Sequence, residues 1–253
     1  MPASLYIGLM SGTSMDGIDA ALVSIDENEN LELLNTHSHE WPSALRQQLE
    51  ALALPGENEI DRLGDTDVWA GEILAESVIA LLEKANISAH QIKATGSHGQ
   101  TVRHRPHSTH PFTLQIGDPN RIAAITGITT VADFRRRDMA VGGQGAPLAP
   151  AFHQAVLSSP DETRVIVNIG GIANLTILPK DTATAVTGFD SGPGNRLMDD
   201  WISRARNDSY DNNGSWAASG AVSEELLSLL INAPYFLREP PKSTGTEEFN
   251  LHG

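Results

Sequence analysis

The 253-residue sequence predicts an α/β protein built on a duplicated two-domain plan. A three-strand meander opens the chain, and a second one much like it begins near residue 164. Amphipathic helices follow each meander, and 40% hydrophobic content with few aromatics suits a chain long enough for one large or two ordinary cores. One repeat at so long a separation points to duplication and not to a solenoid.

Taken in order, Tyr6 to Val23 reads as strand, polar turn, strand. Leu5, Ile7 and Leu9 alternate toward one side, Gly8 and Met10 take the other, and Ile18, Ala20 and Leu22 resume the period of two. Between them lie Ser11, Gly12, Thr13, Ser14, Met15, Asp16 and Gly17. Small residues leave backbone N–H groups unshielded beside three hydroxyls, which suits a polyphosphate, although the same residue types also make an ordinary hairpin turn. Gly12 and Gly17 have the spacing of a Walker loop, but Ile18 and Asp19 stand where Lys and Ser or Thr would be needed. A strand over residues 31–34 completes the meander.

A helix opens at Trp41-Pro42-Ser43, gathers Leu45, Leu49 and Leu52 on one face and ends at Pro55-Gly56. A longer one spans residues 60–84 with Leu63, Ala70, Ile73, Leu74, Val78 and Leu81 inward and Asn86 as its stop. Residues 92–95 form a short strand leading to His98, Gly99 and Gln100. Asp118-Pro119 starts a helix that Gly127 ends. Residues 129–132 form a strand that delivers Asp133 and three arginines, Arg135, Arg136 and Arg137. Glycine-rich residues 142–145 read as a hinge, placing a domain boundary near Asp138. Then come a helix at 150–157, strands at 164–169, 175–178 and 183–188, and helices at 194–204 and 223–231.

Three constellations carry chemistry. The arginine triplet is either a solvated turn or, at the carboxyl end of a strand beside a glycine-rich boundary, a ligand site in which Arg137 forks a carboxylate or neutralises a transferring phosphoryl group. His98, His104, His107 and His110 are poor metal ligands because Arg103 and Arg105 interleave with them, so metal ligands stay unassigned. His98 and Gln100 are instead expected to hydrogen-bond a polar substrate such as a sugar, with the other histidines in a loop. In Gly188-Phe-Asp-Ser-Gly-Pro-Gly-Asn195 a strand ends, a carboxylate follows and a tight turn enters a helix that presents N–H groups. Asp190 is then either a helix cap or a general base in an interdomain cleft.

The formal net charge of −15 argues against a nucleic-acid backbone as partner, and zero cysteines exclude disulfide and thiol chemistry. No membrane span and no signal peptide are expected, which suits a cytoplasmic protein.

Six motifs together resemble one family, the anhydro-N-acetylmuramic acid kinases within the sugar kinase and actin-like superfamily. They are Gly8-Leu-Met-Ser-Gly-Thr-Ser-Met-Asp-Gly17, Ser97-His-Gly-Gln-Thr101, Ala132-Asp-Phe-Arg-Arg-Arg-Asp138, Gly142-Gly-Gln-Gly-Ala-Pro147, Asn168-Ile-Gly-Gly171 and Phe189-Asp-Ser-Gly-Pro-Gly-Asn195. The resemblance implies two ribonuclease-H-like domains, residues 1–138 with the phosphate loop and residues 139–253 as the first part of the second, with a nucleotide in the cleft. It implies an ATP- and Mg2+-dependent kinase of cell-wall recycling, in which water opens the anhydro ring and the freed oxygen on carbon six takes the γ-phosphoryl group. It casts Asp190 as the base and Arg137 as its catalytic partner. It implies a phosphate site of Gly12, Thr13, Ser14, Met15, Asp16, Gly17, Ile18 and Asp19 with Gly170, Gly171 and Asn174, and has Asp133 and Asn195 join His98 and Gln100 around the sugar. A homodimer is also implied. Rival classes are an actin-like nucleotide switch, a sugar kinase without ring cleavage, and a glycosidase that needs two carboxylates and no ATP. Family members continue beyond residue 251, so the 253-residue chain is expected to leave an apolar face uncovered and to be inactive on its own.

Overall fold

The computed structural model of the chain describes residues 3–12, 15–106, 108–245 and 248–251. They form two compact units, Met1–Gly145 and Ala146–Gly253. The division falls after the glycine-rich stretch and not at Asp138. Asp138 accepts the Gly145 N–H at 2.8 Å and Arg135 donates to the Gly145 carbonyl at 2.6 Å, which ties that stretch to the first unit.

The first unit opens with an antiparallel meander of β1 (Ser4–Met10), β2 (Ile18–Ile25) and β3 (Leu31–His39). Alternation decides its faces. Ile7, Leu9, Ile18, Ala20 and Leu22 are buried, whereas Met10 is 43% exposed. Two helices follow, α1 (Ser43–Leu52) and α2 (Glu59–Ala85); α1 buries the expected leucines, and Asn86 ends α2 in the left-handed conformation that such a stop requires. β4 (Ile92–Ser97) enters parallel to β1.

The stretch after β4 departs from expectation. It is a hairpin of β5 (Gln100–Arg105) and β6 (Phe112–Ile116), so His104 lies in a strand and not in a loop. Pro106 and Pro111 bracket the connection between the two strands, and their helix- and strand-breaking character masked the pairing. His107 lies outside the described residues. Then come α3 (Pro119–Thr126), capped by Asp118, and β7 (Thr130–Ala132), parallel to β4. The sheet order is β3-β2-β1-β4-β7, a mixed five-stranded sheet. The arginine triplet is not in a turn: Asp133 precedes a short helix, α4 (Phe134–Ala140), that carries all three arginines.

The second unit begins with α5 (Ala149–Leu157) and a further antiparallel meander, β8 (Arg164–Ile169), β9 (Ile172–Leu178) and β10 (Thr187–Pro193), in the order β10-β9-β8. The third strand sits later than its apolar residues suggested, because Asp190 pairs with Asn174 and the ladder continues past a bulge to Pro193. After it come α6 (Asn195–Arg206), α7 (Ser215–Ala218) and α8 (Glu224–Ile231), with single turns at Asn212–Gly214 and Pro234–Leu237 that sequence periodicity did not reveal. Leu178, Ile202 and Tyr235 are buried, while Val165, Val167 and Ile169 on β8 are each more than half exposed. Among the described residues of the chain, no helix is long and apolar enough to cross a membrane.

Candidate active site

The loop between β1 and β2 is held from beneath. Ser11 is 1% exposed and Gln100 is fully buried. The Ser11 hydroxyl lies 2.7 Å from both the Gly17 carbonyl and Gln100 Oε1, and it accepts the Trp41 indole N–H at 3.1 Å. The Gln100 amide nitrogen donates to the Gly12 carbonyl at 3.1 Å and to that of Thr101 at 3.2 Å. Gln100 therefore serves the loop in this structure and turns no polar atom outward to a substrate. Met15 and Ile18 bury their side chains in the core, so they can meet a phosphate only through their backbone. Met15 has φ 57°, a left-handed conformation uncommon outside glycine and asparagine. Asp16 and Asp19 are exposed, and Asp19 accepts the Ser38 hydroxyl at 2.8 Å. Thr13 and Ser14 lie outside the described residues.

At the end of β4 His98 is engaged on both ring nitrogens. Nδ1 lies 2.8 Å from the Gly99 carbonyl and Nε2 accepts the Arg135 Nε–H at 2.7 Å, which assigns the neutral ring with its proton on Nδ1. Burial, helped by the Arg135 charge, lowers its pKa to about 4. A sugar hydroxyl would have to displace one of these bonds. An unfolded histidine titrates near 6.5, so between that value and about 4 the unfolded chain binds the extra proton. The stability tied to neutral His98 is therefore complete above about pH 6.5 and is lost as pH falls toward about 4, a change on the order of 3 kcal/mol. His98→Gln keeps a donor and an acceptor but cannot titrate; melting temperatures between pH 4 and 7 should fall less steeply than in the unsubstituted protein, and an equal slope would remove His98 as the source.

The three arginines have three different tasks. Arg135 is turned to His98 and the Gly145 carbonyl. Arg136 Nε donates to both Asp133 oxygens, at 2.8 and 2.7 Å, and a further bond from its terminal nitrogen reaches Oδ2. This pairing raises the Arg136 pKa and engages the carboxylate expected to contact substrate. Asp133 itself has φ 67° at the entry to α4. Arg137 is exposed and makes no hydrogen bond or ion pair among the described residues. Of the triplet, it alone keeps its planar fork for a ligand.

Asp190 lies within β10, 7% exposed, and does not cap α6, whose N-cap Gly194 has no side-chain partner. The cap alternative is thereby removed. Its Oδ2 accepts the Thr244 N–H at 3.0 Å. The N–H groups at the start of α6 are not offered to a phosphate as expected: Gly194 and Arg196 donate to the Gly171 carbonyl, and Asn195 to that of Gly170 at 2.8 Å. Gly194 has to be glycine for this closeness, since a Cβ there would lie 2.2 Å from the Gly170 oxygen. The Asn195 side chain donates to the Ile169 carbonyl at 3.3 Å, and Asn174 sits in the ladder opposite Asp190 and Asn168.

Sequence reasoning missed Trp41 as a donor to the loop and Thr244 as a donor to Asp190. A tryptophan before Pro42 offered a weak signal, because a buried indole N–H needs a partner. A backbone donor such as Thr244 leaves none. No group of three histidine or acidic side chains placed to hold a metal occurs among the described residues.

Comparison with known proteins follows the same residues. Residues 4–252 match the family model described as anhydro-N-acetylmuramic acid kinase. A protein of that name from Coxiella burnetii (strain Dugway 5J108-111) is 57% identical over 252 residues, covering 100% of this chain and 67% of that protein. Another from Shewanella pealeana (strain ATCC 700345 / ANG-SQ1) is 55% identical over 250 residues, covering 99% and 67%. Among solved structures, a reductive activator for a corrinoid, iron-sulfur protein aligns at 14% identity with a TM-score of 0.38, over 76% of this chain and 31% of that one, too distant to carry an argument.

Proposed function

Because the chain belongs to the anhydro-N-acetylmuramic acid kinase family, whose members use ATP as kinases do, we propose that it serves a coupled hydrolysis and phosphoryl transfer on 1,6-anhydro-N-acetylmuramic acid. Water attacks the anomeric carbon and gives a proton to the Asp190 carboxylate. The bond from that carbon to the oxygen on carbon six breaks, and this oxygen takes the γ-phosphoryl group as ADP leaves. N-acetylmuramic acid 6-phosphate results, a reaction suited to peptidoglycan recycling in the cytoplasm.

The observation that carries the reading is the state of Asp190: 7% exposed, inside a strand, with an oxygen oriented by a backbone N–H and no helix to cap. Arg137 supports it as a guanidinium with no partner among the described residues, suited to the transferring phosphoryl charge. Residues 12–19, with Gly170, Gly171 and Asn174, are assigned to the ATP phosphates, and Asp133, His98 and Asn195 to the sugar side, each needing to exchange an internal bond for one to ligand. Mg2+ would arrive with the phosphates. It would keep several waters and take one or two carboxylates.

The order β3-β2-β1-β4-β7 with β2 antiparallel, and the second meander β10-β9-β8, support two ribonuclease-H-like domains, residues 139–253 belonging to the second. Pairing as a homodimer is part of the same proposal. The deciding experiment is mass spectrometry of the product from anhydro sugar and ATP in heavy-oxygen water. Label at the anomeric hydroxyl supports the coupled reaction. Ring opening without ATP would point to a glycosidase, and phosphorylation without label to an ordinary sugar kinase.

A further inference from the structure

β10 has β9 on one side, and on its other side the backbone of residues 242–244 bonds to Asp190. The Asp190 N–H donates to the Lys242 carbonyl at 3.1 Å. In a regular parallel ladder the N–H two residues on, that of Thr244, would return to the Asp190 carbonyl. Here it goes to the side chain, to Oδ2 at 3.0 Å, while the backbone carbonyl accepts the Tyr235 hydroxyl at 2.7 Å. The ladder has been rerouted through the carboxylate.

The segment making this contact is itself anchored. Tyr235 is 2% exposed and packs edge-on against Phe249 and Phe236, with ring centroids 5.3 and 6.1 Å apart. Gly192 admits the Phe236 ring, since a Cβ there would lie 2.7 Å from it. The Lys242 ammonium lies 4.9 Å from the Tyr235 ring centroid and 5.9 Å from that of Phe189. Thr244 Oγ1 donates to Glu248 at 2.8 Å, and Glu248 is paired with Arg238 at 2.6 Å. Ser243 between them is 2% exposed.

We infer that residues 242–244, held by Tyr235, form the positioning element for Asp190, with the Thr244 N–H holding the carboxylate at Oδ2. The inference rests on the reading of Asp190 as the base. A carboxylate with one oxygen bound to a fixed donor loses rotational freedom and keeps a constant direction. Proton abstraction needs that constancy.

Two measurements test it. In the unsubstituted protein, NMR should show the Thr244 amide proton titrating with the same midpoint as the Asp190 carboxyl carbon. Glu248→Gln should leave that shared midpoint, because Glu248, like Arg238, Lys242 and Tyr235, stands near the pair without bonding the amide. Asp190→Asn should abolish it. Thr244→Pro removes the N–H; where that protein folds, kcat should fall about tenfold with the acidic limb of the kcat/KM profile moved to higher pH, since an N–H bond favours the charged carboxylate. A Thr244 amide that ignores the Asp190 midpoint, or a folded Thr244→Pro protein with unchanged kcat and limb, overturns the positioning role. A coupled amide together with an active Asp190→Asn protein overturns the base assignment beneath it.

Discussion

Asp190→Asn should lower turnover about a hundredfold or more, while nucleotide and sugar affinities stay within roughly tenfold, in protein whose unsubstituted form turns over. The amide is isosteric. Its oxygen can still accept the Thr244 N–H, so β10 and the chain beside it keep their arrangement, and the loss falls on proton transfer. Steady-state kinetics with each substrate varied in turn, alongside a thermal melt, separate the two. An Asn variant of normal stability and near-normal turnover would show that another group takes the proton, and the coupled reaction would lose its base.

Arg137→Lys should reduce kcat/KM by about ten- to a hundredfold, because an ammonium keeps the charge but not the planar fork that meets two oxygens at once. The fold should not notice. Arg137 is exposed and has no partner among the described residues, so stability should stay within about 0.5 kcal/mol, as for other surface substitutions. The corresponding change at Arg135 would break bonds to His98 and Gly145 and confound the reading. Unchanged kinetics in the Arg137→Lys protein would return the triplet to a solvated basic surface.

What could be read in advance followed from periodicity and from caps. The alternation of Ile7 and Leu9, the spacing of Leu45, Leu49 and Leu52, and the punctuation of α3 by Asp118, Pro119 and Gly127 all state their structure locally. The β5–β6 hairpin was hidden because Thr101, Arg103, His104 and Gln115 put polar groups where strands usually show apolar ones; Thr101, His104 and Gln115 pair across the hairpin, while Arg103 reaches the Leu52 carbonyl and Glu59. Asp190 and Arg137 could be singled out by type and place. Their surroundings could not. Whether a glutamine faces a sugar or a backbone carbonyl depends on contacts across long stretches of chain, such as Gln100 with Gly12, which no local pattern encodes.

The buried tie from Gln100 and Trp41 to Ser11 has a consequence for hydrogen exchange. Ordinary surface loops open and exchange their amides without disturbing the core. Here, freeing Gly12 or Gly17 from its bond strands polar atoms of residues that are at most 6% exposed, so this end of the loop should open only when the sheet itself does. Amides bonded around it would then report the cooperative unfolding of the first unit even in the absence of any nucleotide. A ligand arriving at Gly12 or Gly17 finds them already held, and its affinity is not reduced by the cost of ordering these two residues.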